Sequence, residues 1–399
     1  MTRPHVVVVG GGIVGSAVAR RLTLSHPRPE VTVVEKETTP GRHQTSRNSG
    51  VVHAGLYYTP GSAKATLSQE GVRRLRRYCN ERGLPYDEVG KLVIALDEVQ
   101  EARLRDIEVR ALANRVPGLR WLGADALREV EPHAVGRAAL HSPTTAVTDF
   151  ALVAKALLED AEALGARVVT GFEVTGFDRR GGRVEVRGAD GRRLDADRVV
   201  IAGGLDADRL ARLAGDGPDP VIVPFRGEYH RLVSSAEHLV RGLVYPVPDP
   251  RYPFLGVHLT KRVDGRVLLG PNAVLATARE GYRRRDVDLQ LVRRLVSSRG
   301  FLRFARANLR TGVHEVAGSL SRHAFVERVR RYVPEISVSD VVPAGAGVRA
   351  QAMDPDGALV EDFRFSRVGP VLCIRNAPSP AATASLAIAD LVVDRLDLD

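Results

Sequence analysis

The sequence predicts an α/β protein in which a Rossmann-like parallel sheet carries a second, α+β domain built on a mixed or antiparallel sheet. Three observations carry this expectation. A buried strand, His5–Val9, runs into the glycine-rich Gly10–Gly15 and then into a helix, and a second buried strand ends at Glu35. From Val221 onward, strands separated by turns replace the alternation of strands and helices. Near the C-terminus a strand and a long helix return to the α/β pattern.

Taken in order, HVVVV (residues 5–9) has the unbroken apolar character of a strand buried on both faces. Ile13, Val14, Ala17, Val18 and Leu22 recur at helical spacing and predict a helix over Ile13–Leu24. Val31–Val34 is the second strand. A loop of small and polar residues follows (Thr38–Ser62), then an Arg-rich helix over Val72–Arg82. Thr148 or Asp149 caps a helix to Leu164, Gly165 closes it, and the strand Arg167–Thr170 follows. Arg183–Arg187 and the strand Arg198–Ala202 continue the unit. Gly215–Pro220 (GDGPDP) is the clearest linker. Beyond it come strands at Val221–Val233, Phe254–Thr260 and Arg266–Leu269, a helical Arg-rich stretch Asp286–Arg310, the strand Val371–Ile374 and a helix Pro380–Leu396.

The strongest chemical signal is Gly10-Gly11-Gly12-Ile13-Val14-Gly15, a G-x-G-x-x-G between strand and helix. Gly10 permits the tight turn, Gly12 lets the backbone approach a pyrophosphate, and Gly15 lets helix and strand pack closely. Glu35, 20 residues after Gly15, is placed to accept bonds from ribose hydroxyls. Both FAD and NAD use such a unit. The donor-rich loop His43–Gly50 (HQTSRNSG), where a nicotinamide dehydrogenase would continue with another strand–helix unit, favours FAD. Val199–Gly204 (VVIAGG) adds a buried strand ending in small residues beside the dinucleotide.

Longer segments carry a resemblance: His43–Tyr58 (HQTSRNSGVVHAGLYY), Val223–Tyr229 (VPFRGEY), Tyr245–Pro250 (YPVPDP), Pro253–Thr260 (PFLGVHLT), Gly270–Ala276 (GPNAVLA), Ala346–Ala352 (AGVRAQA) and Arg375–Ala389 (RNAPSPAATASLAIA). The chain resembles the D-amino-acid-oxidase-like FAD oxidoreductases, and within them the L-2-hydroxyglutarate dehydrogenase/oxidase family. One departure is Ser46-Arg47, where the family carries Gly followed by another residue. The resemblance implies a discontinuous FAD-binding domain (1–84, 146–217 and 341–399) beneath a substrate domain (85–145 and 218–340). It implies oxidation of L-2-hydroxyglutarate to 2-oxoglutarate, with electrons passed to oxygen, quinone or a carrier protein. The FAD contacts it implies are Gly10, Gly12, Ile13, Val14, Gly15, Glu35 and Lys36 at the turn and second strand. Gln44, Thr45, Asn48, Ser49, Gly50 and Val51 follow in the loop. Val174, Ala202, Gly203, Gly347, Ser379, Pro380, Ala381 and Ala382 complete the set.

Oxidising a secondary alcohol requires a hydride acceptor, a base near the hydroxyl and a clamp for two carboxylates. His53, just after the loop, is the candidate base. His258 is an alternative base or carboxylate donor. Arg349 offers a planar fork for a carboxylate, with Arg226, Tyr229 and Asn272 as further substrate contacts and Tyr58 as a cap. Ser379-Pro380 reads as N-cap and first residue of the final helix, whose slim first turn and dipole would face the flavin N1–C2=O edge. Two rival readings share these residues: the same fold acting on another hydroxy acid, an amino acid or glycerol 3-phosphate, and a flavin-binding module without turnover.

The net charge of +10 suits an anionic cofactor, an acidic substrate or an anionic membrane surface. Five of the 58 basic residues are lysines, Lys36, Lys64, Lys91, Lys155 and Lys261; the rest are arginines. They are scattered and aromatics are few, which argues against nucleic-acid binding. Arg299, Arg303, Arg306 and Arg310, alternating with Phe301, Leu302, Phe304 and Leu309, read chiefly as a helix with a charged outer face, and secondarily as peripheral membrane contact. Two cysteines, Cys79 and Cys373, provide no disulfide framework, so a cytoplasmic, reducing setting is expected. The histidines form no metal-ligand spacing, and no metal is expected.

Overall fold

A computed structural model of the chain describes residues 3–249, 256–309 and 321–398. Its first sheet has six strands. His5–Val9 lies at the centre, parallel to Glu30–Val34 on one side and Arg198–Ile201 on the other. Arg167–Val169 extends one edge in parallel, Val371–Asn376 the other, and Arg364–Val368 closes that edge antiparallel. Valines on both faces of the central strands are fully enclosed, as the apolar runs require. The Ile13–Thr23 helix packs against Phe150–Ala163 and Ser385–Asp394 over this sheet.

Local chemistry explains most boundaries. Asp149 caps the Phe150–Ala163 helix by accepting from the Ala151 and Leu152 N–H groups (2.9 and 3.3 Å), and Gly165 follows it at φ +94°. The Arg-rich helix starts earlier than its periodicity indicates. It spans Ala63–Arg82, with Ser62 accepting from Ala65 N–H (3.2 Å), so the preceding loop ends where expected. Gly71 on that helix is required by close approach. A Cβ there would lie 2.4 Å from the Thr383 carbonyl oxygen. The linker at 215–220 is clamped by a buried arginine. Arg375 bridges Asp216 (2.5 Å) and donates to the carbonyls of Gly217, Asp219 and Pro220.

The second sheet has nine strands, mixed in direction. Val221–Leu232 pairs along its length with Val341–Met353, and Leu243–Pro246 runs parallel to Lys91–Ala95 and antiparallel to His258–Lys261. Strands at His258–Lys261 and Val267–Gly270 fall where turns bracket them; Phe254 and Leu255 of the expected strand lie outside the described residues. The long strand Val341–Met353 overturns one expected boundary. The return to the first sheet falls after Met353 instead of at residue 341, because Val341–Met353 takes its main-chain partners from Val221–Leu232.

Two further expectations change. The final helix begins at Ser385, not Pro380. Residues 379–384 make successive turns, tied down by the Thr383 hydroxyl, which accepts from the His53 N–H (3.2 Å), and by contact with Gly71. The Arg-rich stretch divides at Ser298 into Leu289–Ser297 and Arg299–Ala307. Phe301 is buried with Val221, Phe225 and Met353, while Arg299, Arg303 and Arg306 face outward; Arg310 lies outside the described residues. Asp208, fully buried, pairs with Arg279 (2.8 Å) and Arg294 (2.6 Å), which locks this helical region onto the first sheet's side.

Gly71→Ala forces the 63–82 helix off the 383–384 turn. Overpacking of this kind costs about 1–3 kcal/mol, and urea unfolding of the variant is expected to show a lowered midpoint with an unchanged slope.

Candidate active site

The carboxyl ends of the three central parallel strands open onto a cavity of about 690 Å³ that continues under the second sheet. Gly10 turns the chain at φ +106°, and a Cβ there would lie 2.5 Å from the Ala202 carbonyl oxygen. Gly15 does not line the cavity. It lets the helix close on the strand, since a Cβ would lie 1.9 Å from the Gly10 carbonyl oxygen. Gly12 faces the cavity at the start of the helix, with Ile13 and Val14 beside it. The Glu35 carboxylate is held by the N–H groups of Gly11 (2.8 Å) and Glu37 (3.0 Å), and still lines the cavity. The strand edge, the helix start and this oriented acid fit the ribose–pyrophosphate part of a dinucleotide.

The loop after the second strand is self-braced. The Thr45 hydroxyl accepts from Ile13 N–H (3.0 Å), Asn48 donates to the Gln44 and Thr45 carbonyls, and Gln44 accepts from Ala350 N–H (3.0 Å). Thus Gln44, Thr45, Asn48, Ser49 and Val51 line the cavity, while Gly50 does not. Gly50 sits at φ +78° against the Thr148 carbonyl, a turn position rather than a cofactor contact. Lys36 lines the cavity but is taken by Asp206 (3.0 Å) and Glu280. Burial works against its charge, yet the two acids outweigh it and raise its pKa. Arg47, the departure in the loop, stacks its guanidinium 4.0 Å over the Tyr282 ring. The missing side chain at Gly347 makes room for the Arg47 backbone, whose carbonyl oxygen would lie 2.2 Å from a Cβ there.

Val174, Ala202, Gly203, Ser379, Pro380, Ala381 and Ala382 complete the dinucleotide side of the cavity. Glu37, His43 and Glu280 bring ligand-type atoms within 4.8 Å of one another. Those atoms are already engaged: His43 bonds the Tyr282 hydroxyl (2.7 Å) and Glu37 (3.1 Å), and Glu280 pairs with Lys36.

The far end of the cavity gathers residues from distant segments. His53, Tyr58, Tyr229, His258, Asn272 and Arg349 all line it. Arg226 does not. Phe225, Gly227 and Tyr229 face the cavity, so strand alternation turns Arg226 to the opposite side, where it is buried beside Glu228 (3.4 Å). The Asn272 amide is bound to Glu228, accepting from its N–H at 2.7 Å. His53 is half-buried; burial first, then the charge of Lys91, holds its imidazole down to about 3. His258 is likewise held down to about 3 by burial and Lys91. Its Nδ1–H donates to the Gly256 carbonyl (3.0 Å), leaving Nε2 as an acceptor. Burial also lowers the pKa of Arg349.

Sequence reasoning missed Tyr57, Lys64, Tyr245 and Thr383, which line the same space, and Lys91 behind it. Tyr57 adjoins the expected Tyr58, and the two lysines stand out in a chain whose cations are nearly all arginine. Those were the available signals.

The chain belongs to the FAD dependent oxidoreductase (DAO) family, whose model matches residues 5–395. It is 42% identical to the mitochondrial L-2-hydroxyglutarate dehydrogenase of Homo sapiens, over 98% of this chain and 88% of that protein. It is 40% identical to the L-2-hydroxyglutarate dehydrogenase of Escherichia coli (strain K12), over 98% and 92%. In fold it is similar to FAD-bound L-alpha-glycerophosphate oxidase from Mycoplasma pneumoniae (TM-score 0.81, 23% identity, 100% and 95% coverage). Glycine oxidase from Geobacillus kaustophilus shares the fold too (TM-score 0.71, 20% identity, 99% and 95% coverage). FAD is thus the cofactor.

Ala382→Asp would introduce a carboxylate into the cavity wall. Anaerobic flavin bleaching by substrate is expected to be abolished in that variant; bleaching at the wild-type rate would move the 379–384 turn away from the flavin.

Proposed function

We propose that the chain oxidises L-2-hydroxyglutarate to 2-oxoglutarate. The observation that carries the reading is the meeting, in one cavity with the dinucleotide turn, of two neutral imidazoles and the arginine Arg349 from three distant segments. Identity of 40–42% to L-2-hydroxyglutarate dehydrogenases across nearly the whole chain supports the substrate. The cofactor-binding part is 1–84, 146–217 and the residues after Met353, and the remainder forms the substrate part.

Bound FAD supplies the hydride acceptor. His53 takes the hydroxyl proton on a ring nitrogen, since it is neutral at ordinary pH. Arg349 pairs with a substrate carboxylate through its fork. Tyr58 and Tyr229 close the cavity around the carbon chain, and His258 presents its Nε2 to the polar end of the substrate. The reduced enzyme passes electrons to oxygen, quinone or a carrier protein, and oxygen uptake compared with quinone reduction separates these acceptors. No described helix is long and apolar enough to cross a membrane. Arg299, Arg303 and Arg306 with exposed Leu302 and Leu309 favour peripheral contact with anionic lipid, which vesicle flotation tests.

Purified yellow protein is expected to bleach anaerobically with the L but not the D isomer. Bleaching by an amine or glycerol 3-phosphate instead would replace the substrate, and an inert flavin would remove the catalytic reading. His53→Gln is expected to lower kcat by about 10²–10⁴-fold. Arg349→Met is expected to raise KM for the dicarboxylate, read in steady-state assays, far more than it alters flavin content.

A further inference from the structure

Lys91 is 2% exposed, on the Lys91–Ala95 strand inside the second sheet. Its ammonium lies 3.9 Å from the centroid of the Tyr245 ring and 4.7 Å from that of Tyr57. Both tyrosines line the cavity, and the Tyr245 ring continues onto His258, centroid to centroid 4.0 Å. The Tyr57 hydroxyl is buried without a hydrogen-bond partner among the described residues. No ion pair joins Lys91 to a carboxylate among the described residues, and burial pulls its pKa down to about 7. An ammonium faced by ring systems is poorly compensated for its loss of water. A methionine would fill the same space without that cost, so packing alone does not account for this side chain.

We propose that Lys91 is a positioning residue of the reaction: from behind the Tyr57–Tyr245 wall, its charge opposes protonation of His53 and His258 and draws the doubly negative substrate inward. The proposal rests on the reading of His53 as proton acceptor. The groups facing His53 come from four elements: Lys91 from its strand, His258 and Arg349 from two further strands, and Lys64 from the 63–82 helix. His258 faces Lys91 and Arg349, opposed by the Gly256 carbonyl that accepts its Nδ1–H. After burial, Lys91 is the largest influence on His53, and it is the largest charge acting on His258.

The signs follow from the window in which each group is charged. Below about pH 7 Lys91 carries its proton, and a cation there opposes protonation of both imidazoles. Removing it raises their pKa values and brings the acid-side loss of activity to higher pH. Above that pH the wild-type cavity loses a positive charge, so KM for the dianion climbs.

The test uses the flavin-loaded enzyme as wild type, Lys91→Met and Lys91→Arg. Protonation of ¹⁵N-labelled histidines is followed by NMR from about pH 3 to 8, alongside kcat/KM for L-2-hydroxyglutarate. In Lys91→Met the imidazole titrations and the acid limb are expected to move up by about one pH unit or more. KM at pH 6 is expected to rise about tenfold, the equivalent of one pKa unit, and to lose its climb above pH 7. Lys91→Arg is expected to restore the acid limb. Imidazole titrations and profiles of Lys91→Met that superimpose on wild type would overturn the proposal. If Lys91→Met does not accumulate as yellow protein, Lys91→Gln removes the charge and is read by the same two measurements. Failure of the underlying reading looks different: a His53→Gln enzyme with wild-type kcat removes His53 as proton acceptor, while the NMR titrations still report on Lys91.

Discussion

A concentration of positive charge around one cavity, where two sheets meet, is the constraint on which the site depends. Lys91 is buried, and Arg349 and Lys64 line the cavity in front of it. Burying the Lys91 charge costs free energy, and the tyrosine faces beside it offset that cost only in part. The proposed, doubly negative substrate would bring opposite charge to this cavity. Burial first, and then the charge of Lys91, lowers the pKa of both imidazoles, so in the proposed mechanism the group that attracts the acid and the group that takes its proton are coupled electrostatically. Attraction and proton acceptance are two consequences of one arrangement.

Backbone geometry delivers these side chains. The paired strands Val221–Leu232 and Val341–Met353 place Phe225 opposite Arg349 and Gly227 opposite Gly347. The glycine pair thins the sheet where Pro271 and the Arg47 backbone press against it. Alternation along the strand then admits Tyr229 and turns Arg226 away. On the other side, the turn at Gly10 and the braced 43–50 loop shape the dinucleotide end. The His53 backbone is tied to the Thr383 hydroxyl and, through its carbonyl, to the Ser68 hydroxyl (3.3 Å). Loop, helix and C-terminal turn therefore hold the candidate base jointly.

Legibility followed the range of the interactions involved. The first strand, the glycine turn and the oriented Glu35 were readable because they are local: one strand, one turn and one helix carry their own periodicity. The 150–163 helix was readable from its cap and its closing glycine. The strand Val341–Met353 was not, since VVPAGAGVRAQAM has a proline, two glycines and several alanines in place of β-branched residues. Its partner supplies what its propensity lacks. The strands between residues 91 and 142 escaped notice because they are short and separated by helices resembling solvated faces.

The sequence by itself determined the cofactor class, the strand–turn–helix that receives it, and His53, His258 and Arg349 as the chemistry-bearing candidates. These are matters of residue type, short spacing and family resemblance. Only the tertiary structure decided that Arg226 faces away, that Lys36 is already paired, that Gly15 stays out of the cavity and Gly50 serves a turn, and that Lys91 stands behind the tyrosines. Orientation and charge balance are long-range properties. They depend on which face of a strand is enclosed and on which cations share the enclosure, and neither is written in the neighbours along the chain.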